Sequence, residues 1–492
     1  MLNDATLAAA VVWLLALILA SLTVRRWAGP WVHAHPVLAV AGAAAIARAV
    51  PTFVLDRGLP FDIEAHWWIG SLALAGRDVY TDPLAANRYP YPPILHEYLS
   101  AALVWLSHGD RALFLVYDKL APALCGVGIA LTVRAIACRL GRTADESLRL
   151  GLLYAVNPLP VLVTAYHGQF EEIPVLGIAL ALLALAPARG KQRTSARAMV
   201  LSALLLGLAI AYKLWPALFL PPLLLLTPRW GAGQARARAM LGWLRAWVVY
   251  GVLALAPLFV LMNVYEVSFE HSTLLARADH ALTTPGTLSH RLKDDHMLYA
   301  MLDYKGSEGF CWGYVSVAHS CWIHPASKRP NAGIIKLNGN LLKVALLLAA
   351  LALLWWRRPL EGFVTLPLVF YLFSPGWGPN YTVWVLPFAF LLSSRLALRY
   401  MAVVTPLVAL TYLDSLYAAF NHDNFSWTVL KPVEAALGLL AWGGVLGLLA
   451  QVYRSSGRRR REAAVVPGAV QQRRPTEETA HYPVYGVQTH IR

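Results

Sequence analysis

The chain has 492 residues, of which 58% are hydrophobic and only 14% charged. A soluble globular chain carries about 25% charged residues, so composition excludes a disordered protein, a coiled coil, a collagen-like chain and an ordinary soluble enzyme, and leaves an all-helical polytopic membrane protein. The net charge of +15 comes from 42 Lys and Arg against 27 Asp and Glu; the arginines fall between apolar runs, as in cytoplasmic loops, and no nucleic acid is expected as partner.

About 20 apolar residues span a bilayer. The first run, 5–24, is followed by Arg25 and Arg26 and preceded by Asp4 with no Lys or Arg. It reads as a retained helix with its N-terminus outside, because a signal peptide opens on a positive region. The run 36–55 returns to the outside and delivers the polar stretch 56–93. The run 94–107 is short for a span and reads as re-entrant or interfacial. A span over 111–137 follows, then the shorter segments 148–165, 172–187, 197–211 and 214–227. The joints 188–197 and 228–238 are basic and go inside; the turns around 166–171 and 212–213 go outside. A span over 241–262 leads to a second large loop, 263–335. The segments 337–355, 360–373, 381–393, 399–417 and 427–452 complete about 13 spans. The domain expected over 1–453 ends in a basic, disordered cytoplasmic tail, 454–492. The basic cluster of that tail reads as a stop-transfer flank or as a contact with anionic membrane lipid.

Four cysteines are too few for a disulfide scaffold. Cys125 and Cys138 lie in or near an apolar run. Cys311 and Cys321 lie in the second large loop and can form a disulfide if that loop is extracytoplasmic.

The candidate chemistry collects at the outward turns. In F-D-I-E, Asp62 and Glu64 stand among Phe61, Trp67 and Trp68. A carboxylate held at such an interface is partly desolvated and can be tuned for base work. Asp62 and Glu64 share a face in an extended strand but not on a helix. The stretch 76–93, with Arg88, Tyr91 and prolines at 90, 92 and 93, reads equally as a rigid loop or as a pocket wall. The turn Y-H-G-Q-F-E-E offers His167, Gln169, Glu171 and Glu172 close to membrane depth, where ionisable groups are costly and usually functional. Lys213, in A-Y-K-L-W-P, is an outward cation suited to an anionic headgroup. The turn S-P-G-W-G-P-N-Y adds Trp377, Asn380 and Tyr381 as pocket lining or as a rigid aromatic turn. No dinucleotide fingerprint, Walker pattern, HExxH or CxxC pair is present.

These motifs occur in an order that resembles the GT-C superfamily of integral-membrane glycosyltransferases. Closest in look are the polyprenol-phosphate-mannose-dependent mannosyltransferases and relatives of the second mannosyltransferase of the GPI pathway. The resemblance covers about residues 36–395 and leaves the first run outside it. It implies a GT-C-like helical bundle in the plasma membrane with two large extracytoplasmic loops. The donor would be a polyprenyl-phosphate sugar, usually mannose, and the acceptor lipid- or glycan-linked, with inversion at the anomeric carbon. Asp62 matches the family's catalytic acid and Glu64 its second acidic residue. Gln169 matches the G-Q-x-D pattern, with Glu171 where Asp is usual. Lys213, with Arg88 or His167, would contact the donor phosphate. No cofactor is required, although Asp62 and Glu64 could hold a divalent metal. The rival readings are a lipid or solute transporter and a glycan ligase using a lipid diphosphate carrier.

Overall fold

The structure is a computed structural model. It describes residues 4–27, 29–55, 60–80, 82, 94–186, 195–227, 236–269, 312–313, 332–356, 358–374, 378–420 and 431–465. All regular structure among them is helical. The chain divides into two compact units, Met1–Leu448 and Leu449–Arg492. Arg88, Tyr91, Trp377, Cys311 and Cys321 lie outside the described residues, as do most of the second large loop and the tail beyond Val465.

Helix α1 spans Asp4–Thr23, α2 Pro30–Ala34 and α3 Pro36–Ala49. Helix α1 packs on the bundle: Trp13 Nε1 donates to the Ala47 carbonyl at 3.1 Å and Ser21 Oγ to the Val156 carbonyl at 3.2 Å. Helix α3 runs on into a π turn, Val50–Val54, containing Pro51, which has no N–H to continue the ladder. The buried Lys119 donates to the carbonyls of Pro51 and Leu55, which satisfies that end from a side chain.

The polar stretch after this span is not simply a loop. Pro60–Leu74 forms helix α4, and Leu95–Leu106 forms α5 packed against it. Glycine allows the close crossing: a Cβ on Gly70 would lie 2.5 Å from the Ser100 carbonyl oxygen of α5. A helix of 12 residues rises about 18 Å, too little to cross a bilayer, as the sequence indicates.

Helix α6, Arg111–Arg139, is the long axis of the bundle. The Asp110 side chain caps it by accepting from the amides of Ala112 and Leu113 at 2.7 and 3.1 Å. Helix α7, Ala144–Ala155, starts on a Thr143 cap. It continues through the short turn α8, Pro158–Pro160, and a π turn, Val161–Tyr166. Helices α9 (Glu172–Leu185), α10 (Ala196–Tyr212), α11 (Leu220–Leu226) and α12 (Arg236–Ser268) follow, with α10 packed between α9 and α12. The remaining helices are α13 (Ala332–Trp356), α14 (Pro359–Phe373), α15 (Leu386–Leu392), α16 (Ser394–Phe420) and α17 (Lys431–Val465).

Among the described residues, five segments are long and apolar enough to cross a membrane: Pro36–Val54, Arg111–Arg139, Ala144–Tyr166, Leu241–Ser268 and Pro432–Arg454. They do not by themselves establish the expected count of about 13; the other apolar helices described are shorter, and several carry proline in their first turn. Their positions differ in the bundle. Ala144–Tyr166 is 89% buried over its apolar window and Leu241–Ser268 only 22%. The latter presents Val248, Val252, Val260 and Val264 outward, an apolar face suited to lipid.

The start of the second large loop lies beside residues 78–79 of the first. Tyr265, near the end of α12, donates to Asp78 Oδ1 at 2.7 Å and accepts from the Val79 amide at 3.0 Å. From the second loop, Trp312 Nε1 donates to the Tyr371 carbonyl at 2.6 Å.

Candidate active site

Three turns that join helices and the first turn of α4 meet at one site. Asp62 sits in that first turn, where the positive end of the helix dipole favours a carboxylate. His167 Nε2 lies 2.6 Å from Asp62 Oδ2, and Gln169 Nε2 donates to the same oxygen at 2.8 Å. His167 Nδ1 is 2.9 Å from the Tyr412 hydroxyl of α16, which fixes the imidazole from behind.

The turn that carries His167 and Gln169 depends on Gly168, whose φ of +93° belongs to the left-handed side that a side chain disfavours. Coming after the π turn, it reverses the chain so that residues 167 and 169 both reach Asp62.

Both hydrogen bonds to Asp62 from described residues fall on Oδ2, and the side chain is 14% exposed. Burial by itself raises a carboxyl pKa. The hydrogen bond and charge of His167, the charge of His66 and the Gln169 amide outweigh it and hold Asp62 below its ordinary value. Asp62 is thus a carboxylate held below its ordinary pKa by contacts on Oδ2 while its side chain keeps some exposure, which suits a proton acceptor.

Glu64 is not part of this cluster. Because 60–74 is helical, it points to the other side of α4, exposed, and accepts from Trp68 Nε1 at 3.4 Å. The pair does not converge on one point, and a metal shared by Asp62 and Glu64 is not supported by their placement. Among the described residues, no three His, Cys, Asp or Glu side chains are grouped to hold a metal ion.

Glu171 is a fully buried hub. Lys213 and Asn380 donate to its Oε1, the latter at 2.6 Å, and the indoles of Trp215 and Trp384 donate to Oε2 at 3.0 and 2.9 Å. The two indoles stack with centroids 4.0 Å apart and planes 6° apart. One carboxylate thereby ties the turns 166–171, 212–215 and 378–384 together. With four donors on two oxygens and no exposure, Glu171 is a strut for the site and is poorly placed to accept a proton. Lys213 is its ion-pair partner, lies 4.8 Å from the Phe170 ring centroid and remains 13% exposed at the rim. Tyr381 packs against Trp384, and its carbonyl accepts from the Tyr371 hydroxyl.

Glu172, one residue on, leaves the site. It pairs with the buried Arg48 through Nη2–Oε1 at 2.7 Å and accepts from Tyr154 and Thr164 at 3.0 and 2.7 Å. Its satisfied, enclosed carboxylate fastens α3 to α9 and is not available to hydroxyls or phosphate.

Sequence reading missed several members. His66 stands one helical turn after Asp62 and reaches the Asp118 oxygens from Nδ1 at 3.2 and 3.1 Å. The i, i+4 spacing of Asp62 and His66 and the ionisable pair Asp118–Lys119 inside an apolar run were the available signals. Tyr412 and Trp384 carried no signal that separated them from ordinary core aromatics.

The chain matches no protein-family model and no curated protein sequence, so the functional reading rests on the motifs and on this site.

Proposed function

We propose that the protein is an inverting glycosyltransferase acting at the extracytoplasmic face of the plasma membrane. It would transfer a hexose, mannose in the family it resembles, from a polyprenyl-phosphate sugar to a hydroxyl of a lipid- or glycan-linked acceptor. The observation that carries this reading is the Asp62 arrangement: an ionised, partly exposed carboxylate at a helix N-terminus, fixed through one oxygen.

In the reaction the acceptor oxygen bonds to the anomeric carbon as the bond from that carbon to the phosphate oxygen breaks. The acceptor proton passes to Asp62, and the charge of the transition state is oxocarbenium-like. The leaving group departs as the polyprenyl phosphate anion. Lys213 at the rim, with His167 nearby, would meet that charge, and Gln169, Asn380 and Tyr381 would border the sugar. Arg88, Tyr91 and Trp377 keep the substrate roles their motifs imply. A lipid phosphate is already a good leaving group, so no cofactor is needed.

A transporter is the less favoured alternative, because the buried ionic groups Arg48 and Glu172 satisfy each other rather than lining a path. The test is sugar transfer by the purified protein in nanodiscs, with radiolabelled polyprenyl-phosphate mannose and membrane extracts as the acceptor source. Labelled product in which the anomeric configuration is inverted is expected. Substrate movement across proteoliposomes without any covalent product would overturn the reading.

A further inference from the structure

Two imidazole–carboxylate pairs flank the site, one turn apart on α4: His167 with Asp62, and His66 with Asp118. The second pair is enclosed. His66 is 1% exposed and Asp118 6%. Asp118 receives His66 Nδ1 on both oxygens, an arrangement that fixes the ring and stabilises it when it carries a proton. The opposite edge, His66 Nε2, is buried with no hydrogen-bond partner. A buried polar atom of this kind calls for an explanation in function, enclosed water or strain. The ring is further held by Phe170 and His96, at centroid distances of 4.7 and 4.9 Å.

We infer that His66, anchored by Asp118 and one helical turn from Asp62, is a positioning residue for Asp62: in its protonated form it favours the ionised Asp62 carboxylate. The surroundings leave His66 the natural group for this role. From α6 come Asp118, which binds it, and Lys119, which is committed to the carbonyls of Pro51 and Leu55. From α5 come His96, edge-on to the ring, and Glu97, whose electrostatic neighbours are Tyr80 and Asp78. The end of α10 contributes Tyr212 and Lys213, the latter paired with Glu171, and α16 contributes Tyr412, bound to His167. On α4 itself Glu64 faces away. Of these, His167 and His66 are the imidazoles whose positive charge, when they carry a proton, lowers the pKa of the Asp62 carboxyl.

The inference rests on Asp62 being the base of the proposed transferase, but its test does not need activity. A hydrophobic carbodiimide labels protonated carboxyls, and the pH dependence of Asp62 labelling in the full-length protein in nanodiscs can be read by peptide mass spectrometry. The comparison is wild type, His66→Gln and His66→Asn. Asn places its amide where Nδ1 was and keeps the bond to Asp118, whereas Gln reaches the Nε2 position; neither carries charge. The labelling midpoint is expected to rise by about one pH unit in both variants, the lower end of the effect of a nearby charge. An unchanged midpoint in a folded variant overturns the inference. So does a midpoint that rises in Gln but not in Asn, since His66 would then be only a tie to Asp118. If the Gln variant fails to fold, the Asn variant decides alone. If the midpoints move but wild type transfers no sugar, the proposed function fails and the coupling stands.

Discussion

At the residue scale, what surrounds each one separates three acidic side chains: Asp62 and the sequence neighbours Glu171 and Glu172. Among the described residues Asp62 is bonded through Oδ2 alone, Glu171 is saturated by four N–H donors, and Glu172 is locked to Arg48. The consequences differ in kind. Glu171→Ala leaves a partly buried ammonium and two buried indoles without their acceptor, and a broken buried pair costs up to about 3–5 kcal/mol; a clear drop in the thermal unfolding midpoint in detergent is expected. Arg48→Met, which strands Glu172, is expected to cost a similar amount in the same measurement. The sign for pH follows from Asp62. Its lowered pKa means the base is present above the ordinary carboxylate range and is lost only as pH falls through a value below it. As far as Asp62 governs it, kcat/KM should therefore be flat from about pH 7 down to about pH 5. An acid limb centred inside that window would assign the base elsewhere.

At the element scale, the site depends on how α4 is held. The turn at Gly168 and the crossing of α4 over α5 at Gly70 are both places where a side chain does not fit. Gly70→Ala drives a Cβ into the Ser100 carbonyl and must push α4 outward. Overpacking of this kind costs about 1–3 kcal/mol, and transfer should fall more than stability because Asp62 rides on the displaced helix; paired activity and unfolding measurements check this. Much of the element pattern is legible in the sequence. Apolar runs and basic joints mark the helices, and the ordering of motifs places Asp62, His167, Gln169, Lys213 and Asn380 at turns that do meet. The conformation of 60–74 is less legible. Its polar, aromatic composition reads as a loop, and only packing against α5 makes the helix evident. That one difference decides the fate of Glu64, since period 2 puts it beside Asp62 and period 3.6 sends it away. The Arg48–Glu172 bond joins residues 124 apart, a pairing no local pattern encodes.

At the scale of the whole molecule, the long apolar segments differ in burial, and the site is built from turns between shorter helices. Tyr265 draws the start of the second large loop onto Asp78 of the first. Tyr265→Phe removes the hydroxyl that bridges Asp78 and the Val79 amide. It should lower stability by about 1–3 kcal/mol, the cost of a lost bond to a charged group, and increase proteolytic nicking near residue 78. The most direct test of the account is sugar transfer from radiolabelled polyprenyl-phosphate mannose by Asp62→Asn and Glu64→Gln, compared with wild type at equal expression. The account predicts a loss of about 10²–10⁴-fold for Asp62→Asn, as for removal of a general base, and near wild-type transfer for Glu64→Gln. Equal transfer by Asp62→Asn and wild type, or a selective loss in Glu64→Gln, would contradict it.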